Sequence, residues 1–291
     1  MKSKQIIYRV APLVKIKSFI MGFVLISFTI GKLQAQDENF YIFLSFGQSN
    51  MEGHAKFEEI DTVVDDRFQV LQTVDCENLD RVKGNWYPAA APLTRCYTGL
   101  GPSDYFGRTL LDNLPEHIKV GVINVSVGGT KIELFQKDNY QSYVATAPGW
   151  LQNMVEEYDG DPYGRLIEMA KLAQQHGVIK GILLHQGESN TGDQTWPTKV
   201  KGVYDTMLSD LGLNPNSLPL LAGEMVSEAQ GGKCASMNDI IKTLPEVLPT
   251  AHVISSEDCE AVDDGLHFSA AGYRELGRRY GIKMLEILNK D

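Results

Sequence analysis

Apolar residues cluster along this chain in five short runs: Phe40–Phe46, Val120–Val125, Gly181–His185, Leu218–Ala222 and His252–Ser255. Such short runs, with little alternation to polar residues, are the pattern of strands buried on both faces. Between them, apolar residues recur every third or fourth position. This period predicts helices over Asp104–Leu114, Tyr163–His176, Lys199–Leu211, Met237–Leu248 and Ala270–Leu288. Ser103 or Asp104 caps the first, Gly177 stops the second, the third ends near Gly212, and Ser269 caps the last. Strands alternating with helices predict βαβ units. The expected fold is therefore α/β, with a mostly parallel five-stranded sheet covered by helices on both faces.

The first 35 residues have a different pattern. Basic residues Lys2, Lys4, Arg9, Lys15 and Lys17 precede an apolar run from Phe19 to Ile30, and Leu33-Gln34-Ala35 follows. A basic start, a short apolar core and a small residue at the end describe a secretory signal peptide. The apolar run is short for a membrane span. We therefore expect cleavage after Ala35 and an exported protein, periplasmic or secreted, with no stable membrane insertion after cleavage; an uncleaved N-terminal anchor is the alternative. Residues 36–291 contain no low-complexity linker, repeat or long block of charge and are expected to form one domain.

Charge narrows the partners. The full chain carries 27 basic and 37 acidic residues, a net charge of −10. Removing residues 1–35 takes away six basic residues and no acidic one, which moves the net charge to −16. Such a surface repels phosphate backbones, so nucleic acid is excluded as a partner class. Four cysteines, Cys76, Cys96, Cys234 and Cys259, follow the export signal. An oxidising compartment favours disulfides, and of the three possible pairings proximity along the chain favours Cys76–Cys96 with Cys234–Cys259; free buried thiols are the alternative. The cysteine spacing matches no zinc motif, and the six histidines show no H-E-x-x-H pattern, so neither a metal site nor a cofactor is expected.

In open parallel sheets, ligands bind beyond the carboxyl ends of the strands. The predicted strands deliver polar clusters to that rim: Gly47-Gln48-Ser49, Ser126-Val127-Gly128-Gly129-Thr130, His185-Gln186-Gly187-Glu188-Ser189, and Gly223-Glu224-Met225. The last strand leads to Asp264-Gly265-Leu266-His267. A serine at a strand end and an Asp-x-x-His near the other terminus are the parts of a nucleophilic Ser-His-Asp site. Each part has a plain alternative: Ser49 as a helix cap, Asp264 as a turn cap with His267 on the surface, and Gly128-Gly129 as a tight turn. The α/β-hydrolase elbow G-x-S-x-G is absent, because position 51 is Met. Gly128-Gly129 could turn backbone N–H groups toward a developing oxyanion, and Gln186 could donate a side-chain amide to it.

Three blocks then carry a resemblance: Gly47-Gln48-Ser49-Asn50-Met51, His185-Gln186-Gly187-Glu188, and Asp264-Gly265-Leu266-His267-Phe268. In this order they resemble the signature blocks of the SGNH-type carbohydrate acetylesterases, in particular carbohydrate esterase family 6 (acetyl xylan esterases) and the related sialate O-acetylesterase group. The resemblance implies a three-layer α/β/α sandwich of flavodoxin-like type and a metal-free serine mechanism. It implies Ser49 as nucleophile, His267 as base, and oxyanion donors from the Ser49 backbone, the Gly128 or Gly129 backbone, and Gln186. The acid is Asp264 or Glu188; we favour Asp264. Gly-Gln-Ser stands where the wider SGNH pattern has Gly-Asp-Ser, and Gln186 replaces its usual Asn.

The expected activity is removal of O-acetyl groups from carbohydrate, acetylated xylan or xylo-oligosaccharide first. A sialate O-acetylesterase or another short-chain ester hydrolase is the enzymatic alternative, and a non-catalytic carbohydrate-binding protein is the alternative of another class. Gln48, Asn50, Trp86 and Trp196 are candidates for substrate contact. Trp150 also falls in a predicted loop, where an indole face can stack on a sugar.

Overall fold

The computed structural model describes Gln5 and residues 36–290. The expected signal peptide, residues 1–35, thus lies outside the described residues apart from Gln5. Among the described residues no helix is long and apolar enough to cross a membrane.

Among the described residues seven strands form one sheet: β1 (Asp37–Gly47), β2 (Phe68–Leu71), β3 (Trp86–Pro88), β4 (Lys119–Ser126), β5 (Gly177–His185), β6 (Leu220–Gly223) and β7 (Ala251–Ile254). Their order is β3-β2-β4-β1-β5-β6-β7. Every pairing is parallel except β2 with β3. The expected strand count of five is therefore corrected to seven. The two additional strands lie in the insertion between Met51 and Ser103. They span four and three residues; the polar Gln69 interrupts the apolar run of β2, and β3 ends on Pro88 at the sheet edge, where a missing N–H is tolerated.

The central strand β1 explains the layers. Ile42, Leu44 and Phe46 project to one face, where they join residues of helices Pro162–Ala173 and Trp196–Asp210 in one apolar cluster. Phe43 projects to the other face and joins Phe106 and Leu110 of helix Pro102–Leu111 and Leu276, Tyr280 and Met284 of helix Ala270–Leu288. Alternate residues thus feed two cores, which is why this strand reads as continuously apolar. The result is an α/β/α sandwich.

Helix ends follow the local chemistry. The Asp161 side chain accepts from Gly164 N–H at the start of Pro162–Ala173, and Ser269 Oγ accepts from Gly272 N–H at the start of the last helix. The expected helix Met237–Leu248 is broken into Met237–Ile241 and Leu244–Val247. Pro245 lies in its middle and cannot donate the N–H that a continuous helix needs.

Register decides where the chemistry sits. Gly47 is level with Ser126 of β4 on one side and His185 of β5 on the other. Three polar clusters far apart in sequence therefore leave the sheet side by side, at its carboxyl rim. Cys76 and Cys96 form a disulfide within the insertion. Cys234 and Cys259 are free thiols, so the second pairing is not made; Cys259 is buried in the core on the face that holds the last helix.

Candidate active site

The chain turns sharply at the end of β1. Gly47 has φ +154°, and a Cβ there would lie 2.1 Å from the carbonyl oxygen of His185. Only glycine lets β1 run this close to β5 before the turn. The next residues form the short helix Ser49–Glu52, which places Ser49 in its first turn, where N–H groups have no intrahelical acceptor.

At the other end of the chain, Asp264-Gly265-Leu266-His267 makes a tight loop. Asp264 Oδ1 accepts from Leu266 N–H at 2.7 Å and from His267 N–H at 2.9 Å. The carboxylate thus caps its own turn. Its other oxygen, Oδ2, lies 2.6 Å from His267 Nδ1. His267 Nε2 in turn lies 2.8 Å from Ser49 Oγ, across 218 residues of sequence. With Nδ1–H donating to Asp264, Nε2 is left as acceptor for the Ser49 hydroxyl, the tautomer a general base requires. Burial pushes the Asp264 carboxyl up, but bonds from His267 and from the amides of Leu266 and His267 outweigh it and hold the group at about 2.

Asn50 fastens this loop to the turn that carries Ser49. It is fully buried; its Nδ2 donates to Leu266 O at 2.9 Å and to Glu188 Oε1 at 2.5 Å, and its Oδ1 accepts from Tyr273 O–H at 2.6 Å. Asn50 is therefore corrected from a substrate contact to a strut. Gln48 is corrected likewise: it is buried, and its Oε1 accepts from Gln186 Nε2 at 3.2 Å and Gly187 N–H at 3.3 Å.

Gln186 sits beneath the rim. Its Nε2 faces Asn190 Oδ1 at 2.8 Å and Thr130 O at 3.2 Å as well as Gln48, and its Oε1 accepts from Trp196 Nε1 at 2.5 Å. Three internal acceptors surround an amide with two hydrogens. The Gln186 side chain, expected as an oxyanion donor, thus braces the loops through these contacts. Glu188, the alternative acid, accepts from Asn50, and its nearest histidine contact is His185 Nδ1 at 3.9 Å, whereas Asp264 bonds His267. Burial pushes the fully enclosed His185 imidazole down, and the neutral ring donates from Nε2 to Glu224 O at 3.0 Å.

The tryptophans separate. Trp196 opens a helix and is wholly buried, with its indole N–H bonded to Gln186. Trp86 packs on Phe40, near the amino end of β1, at the rim opposite Ser49. Neither is free to meet substrate. Trp150 is 54 % exposed and overhangs Gly129, whose Cβ would be 2.6 Å from the indole.

Gly128 and Gly129 stand beside the serine; a Cβ on Gly128 would be 3.7 Å from Ser49 Cβ. The Gly128 N–H donates to Glu52 Oε1 at 3.3 Å. Glu52 also receives Arg95 Nη2 at 2.6 Å and Nε at 3.1 Å, a nearly buried pair. Burial pushes the Glu52 carboxyl up, opposed by Arg95 and by the Gly128 amide. The sequence reading missed Glu52, Arg95 and His54. The exposed His54 ring stacks on His267 with centroids 3.7 Å apart and planes 13° from parallel. Desolvation on the stacked face, then the adjacent His267, push its imidazole down. Only the position of His54, five residues after Ser49, hinted at this contact. His54, Asp264 and His267 also bring ligand-type atoms within 4.8 Å of one another. Both nitrogens of His267 are already engaged, so a cation there would have to displace Ser49 or Asp264.

A mostly parallel α/β/α sheet with these blocks at its carboxyl rim defines the SGNH-type hydrolases, and the chain is a carboxylic ester hydrolase. More particularly, the family model described as SASA, carbohydrate esterase, sialic acid-specific acetylesterase, matches residues 39–286, and the chain belongs to that family. Solved structures share the fold at low identity. A protein from Arabidopsis thaliana is 18 % identical with a TM-score of 0.64, covering 86 % of this chain and 99 % of its own. NanS is 13 % identical with a TM-score of 0.65, over 88 % and 99 % of the two chains. A carbohydrate acetylesterase from Xanthomonas citri is 16 % identical with a TM-score of 0.60, over 86 % of this chain and 57 % of its own.

Proposed function

We propose that this chain is an exported carbohydrate O-acetylesterase in which Ser49 is the nucleophile, His267 the base and Asp264 the orienting acid. The observation that carries the reading is the unbroken line Asp264 Oδ2–His267–Ser49 Oγ, with separations of 2.6 Å and 2.8 Å. Ser49 Oγ attacks the acetyl carbonyl while its proton passes to His267 Nε2. The oxyanion of the tetrahedral intermediate is held by the N–H of Ser49 and by the N–H of Gly129, the Gly128 N–H being engaged by Glu52. Collapse breaks the bond to the sugar oxygen, which takes the proton from His267. Water then gives a proton to His267 and attacks acetyl-Ser49; collapse breaks the bond to Ser49 Oγ, which takes that proton back from His267 as acetate leaves.

Acetylated xylan is the first substrate of choice, because the net charge of −16 carried by residues 36–291 favours a neutral polysaccharide over an anionic sugar. O-acetylated sialic acid is the second reading, favoured by the description of the family. The test is acetate release from each by residues 36–291 beside the Ser49→Ala variant. Release that depends on Ser49 supports the esterase and identifies the sugar; binding without Ser49-dependent release from either would instead support a non-catalytic carbohydrate-binding protein.

A further inference from the structure

The reaction fixes the side from which the sugar departs. Its oxygen must take a proton from His267 Nε2, so the ring bearing the ester lies on the imidazole side of Ser49, away from the Gly128-Gly129 turn. On that side the stacked His54 ring is the inner wall of a shallow pocket of about 320 Å³, lined also by Lys56, Phe57, Tyr97 and Thr98.

This pocket is built rather than incidental. Gly99 N–H donates to Gly53 O at 2.8 Å, and Leu100 N–H donates to Ala55 O at 2.7 Å. The two segments approach so closely that a Cβ on Gly53 would lie 2.2 Å from Gly99 O. Thr98 closes the adjoining turn on Arg95 O through both its N–H and its hydroxyl, and Cys96, next to Tyr97, is tied to Cys76. On this rigid base Tyr97 is 89 % exposed and Phe57 42 % exposed. An aromatic ring this open does no core packing. Exposed rings that share a pocket with polar groups suit a ligand with an apolar face and a hydroxylated edge.

We propose that Tyr97 and Phe57, with His54 as inner wall, form the subsite for the pyranose ring that leaves from the ester. The C–H face of the sugar stacks on the rings, while Lys56 and Thr98 meet its hydroxyls. This rests on Ser49 and His267 being the reacting pair.

The test compares kcat/KM for an acetylated sugar with kcat/KM for ethyl acetate, whose leaving group is too small to reach the shelf. The sugar probe is acetylated xylo-oligosaccharide or O-acetylated sialic acid, whichever wild type turns over faster. Tyr97→Ala and Phe57→Ala should each lower the sugar-to-ethyl ratio about tenfold, chiefly through KM on the sugar. Tyr97→Phe, which keeps the ring, should restore most of it. An unchanged ratio in both alanine variants, with hydrolysis still dependent on Ser49, overturns the subsite alone. Failure of wild type on both esters, or activity of Ser49→Ala on both, overturns the esterase reading and the subsite with it.

Discussion

Replacing Asp264 with asparagine tests the triad at its most specific contact. Asp264 uses one oxygen to cap its turn, at 2.7 Å and 2.9 Å from two backbone amides, and the other to accept from His267 Nδ1 at 2.6 Å. Asn keeps an acceptor for the capping bonds, so the loop should stay folded. Its NH₂ group then faces Nδ1 and favours the tautomer with the proton on Nε2, which cannot accept from Ser49. Loss of the correct tautomer in a serine triad lowers kcat about 10⁴-fold, or about 5 kcal/mol in the barrier. The assay is the initial rate of acetate release between about pH 5 and pH 9. Glu188→Gln is the paired control: its Oε1 serves Asn50, and Gln can still accept there, so kcat should change less than about threefold. A loss under about tenfold in Asp264→Asn, with a loss of about a thousandfold in Glu188→Gln, would refute the assignment and move the acid to Glu188. Stability gives a second readout. The Asp264 carboxyl is held at about 2, below its ordinary 3.8. A depressed carboxyl contributes stability above its unfolded value and loses it as pH falls through about 2, so wild type and Asp264→Asn should converge in stability at the acid end.

Three further outcomes are expected. Ser49→Ala and His267→Ala should each lower kcat at least about 10⁴-fold with an unchanged melting temperature, read by acetate release and thermal denaturation. Arg95→Met should leave Glu52 buried without its cation, costing about 3–5 kcal/mol and roughly 6–20 °C in Tm. The Glu52 carboxyl already sits above its ordinary 4.5, and a raised carboxyl costs stability above that value. The Arg95→Met deficit should therefore shrink as pH falls toward it; a deficit that grows with acid would contradict the buried pair. Reduction of the Cys76–Cys96 bridge should destabilise the protein by about 3 kcal/mol, measured by urea denaturation with and without reductant.

The α/β class was legible because strands covered on both faces must be apolar throughout, and five such runs between helical periods leave few topologies. Phe68–Leu71, interrupted by Gln69, and the edge strand Trp86–Pro88 carry no such signature, and Pro245 broke a helix whose apolar period continued past it. Ser49, Asp264 and His267 stood out as candidates for a chemical reason: a hydroxyl, a carboxylate and an imidazole are residue types that the proposed reaction prescribes, and the order of their blocks carried the resemblance. What the sequence could not assign was direction. Gln48, Asn50 and Gln186 belong to the same blocks as Ser49, yet all three are buried and bonded inward. Trp196 and Trp86 are indistinguishable by type from Trp150, but only Trp150 stands open beside the Gly128-Gly129 turn. His54 and Arg95 became part of the candidate site only when the insertion folded against the turn that carries Ser49. Periodicity and reactive residue types are local properties, so the chain alone determined the fold class and marked out the candidate reacting groups. Which polar group faces substrate and which braces the loops depends on burial and on partners from distant segments, and only the tertiary structure decided that.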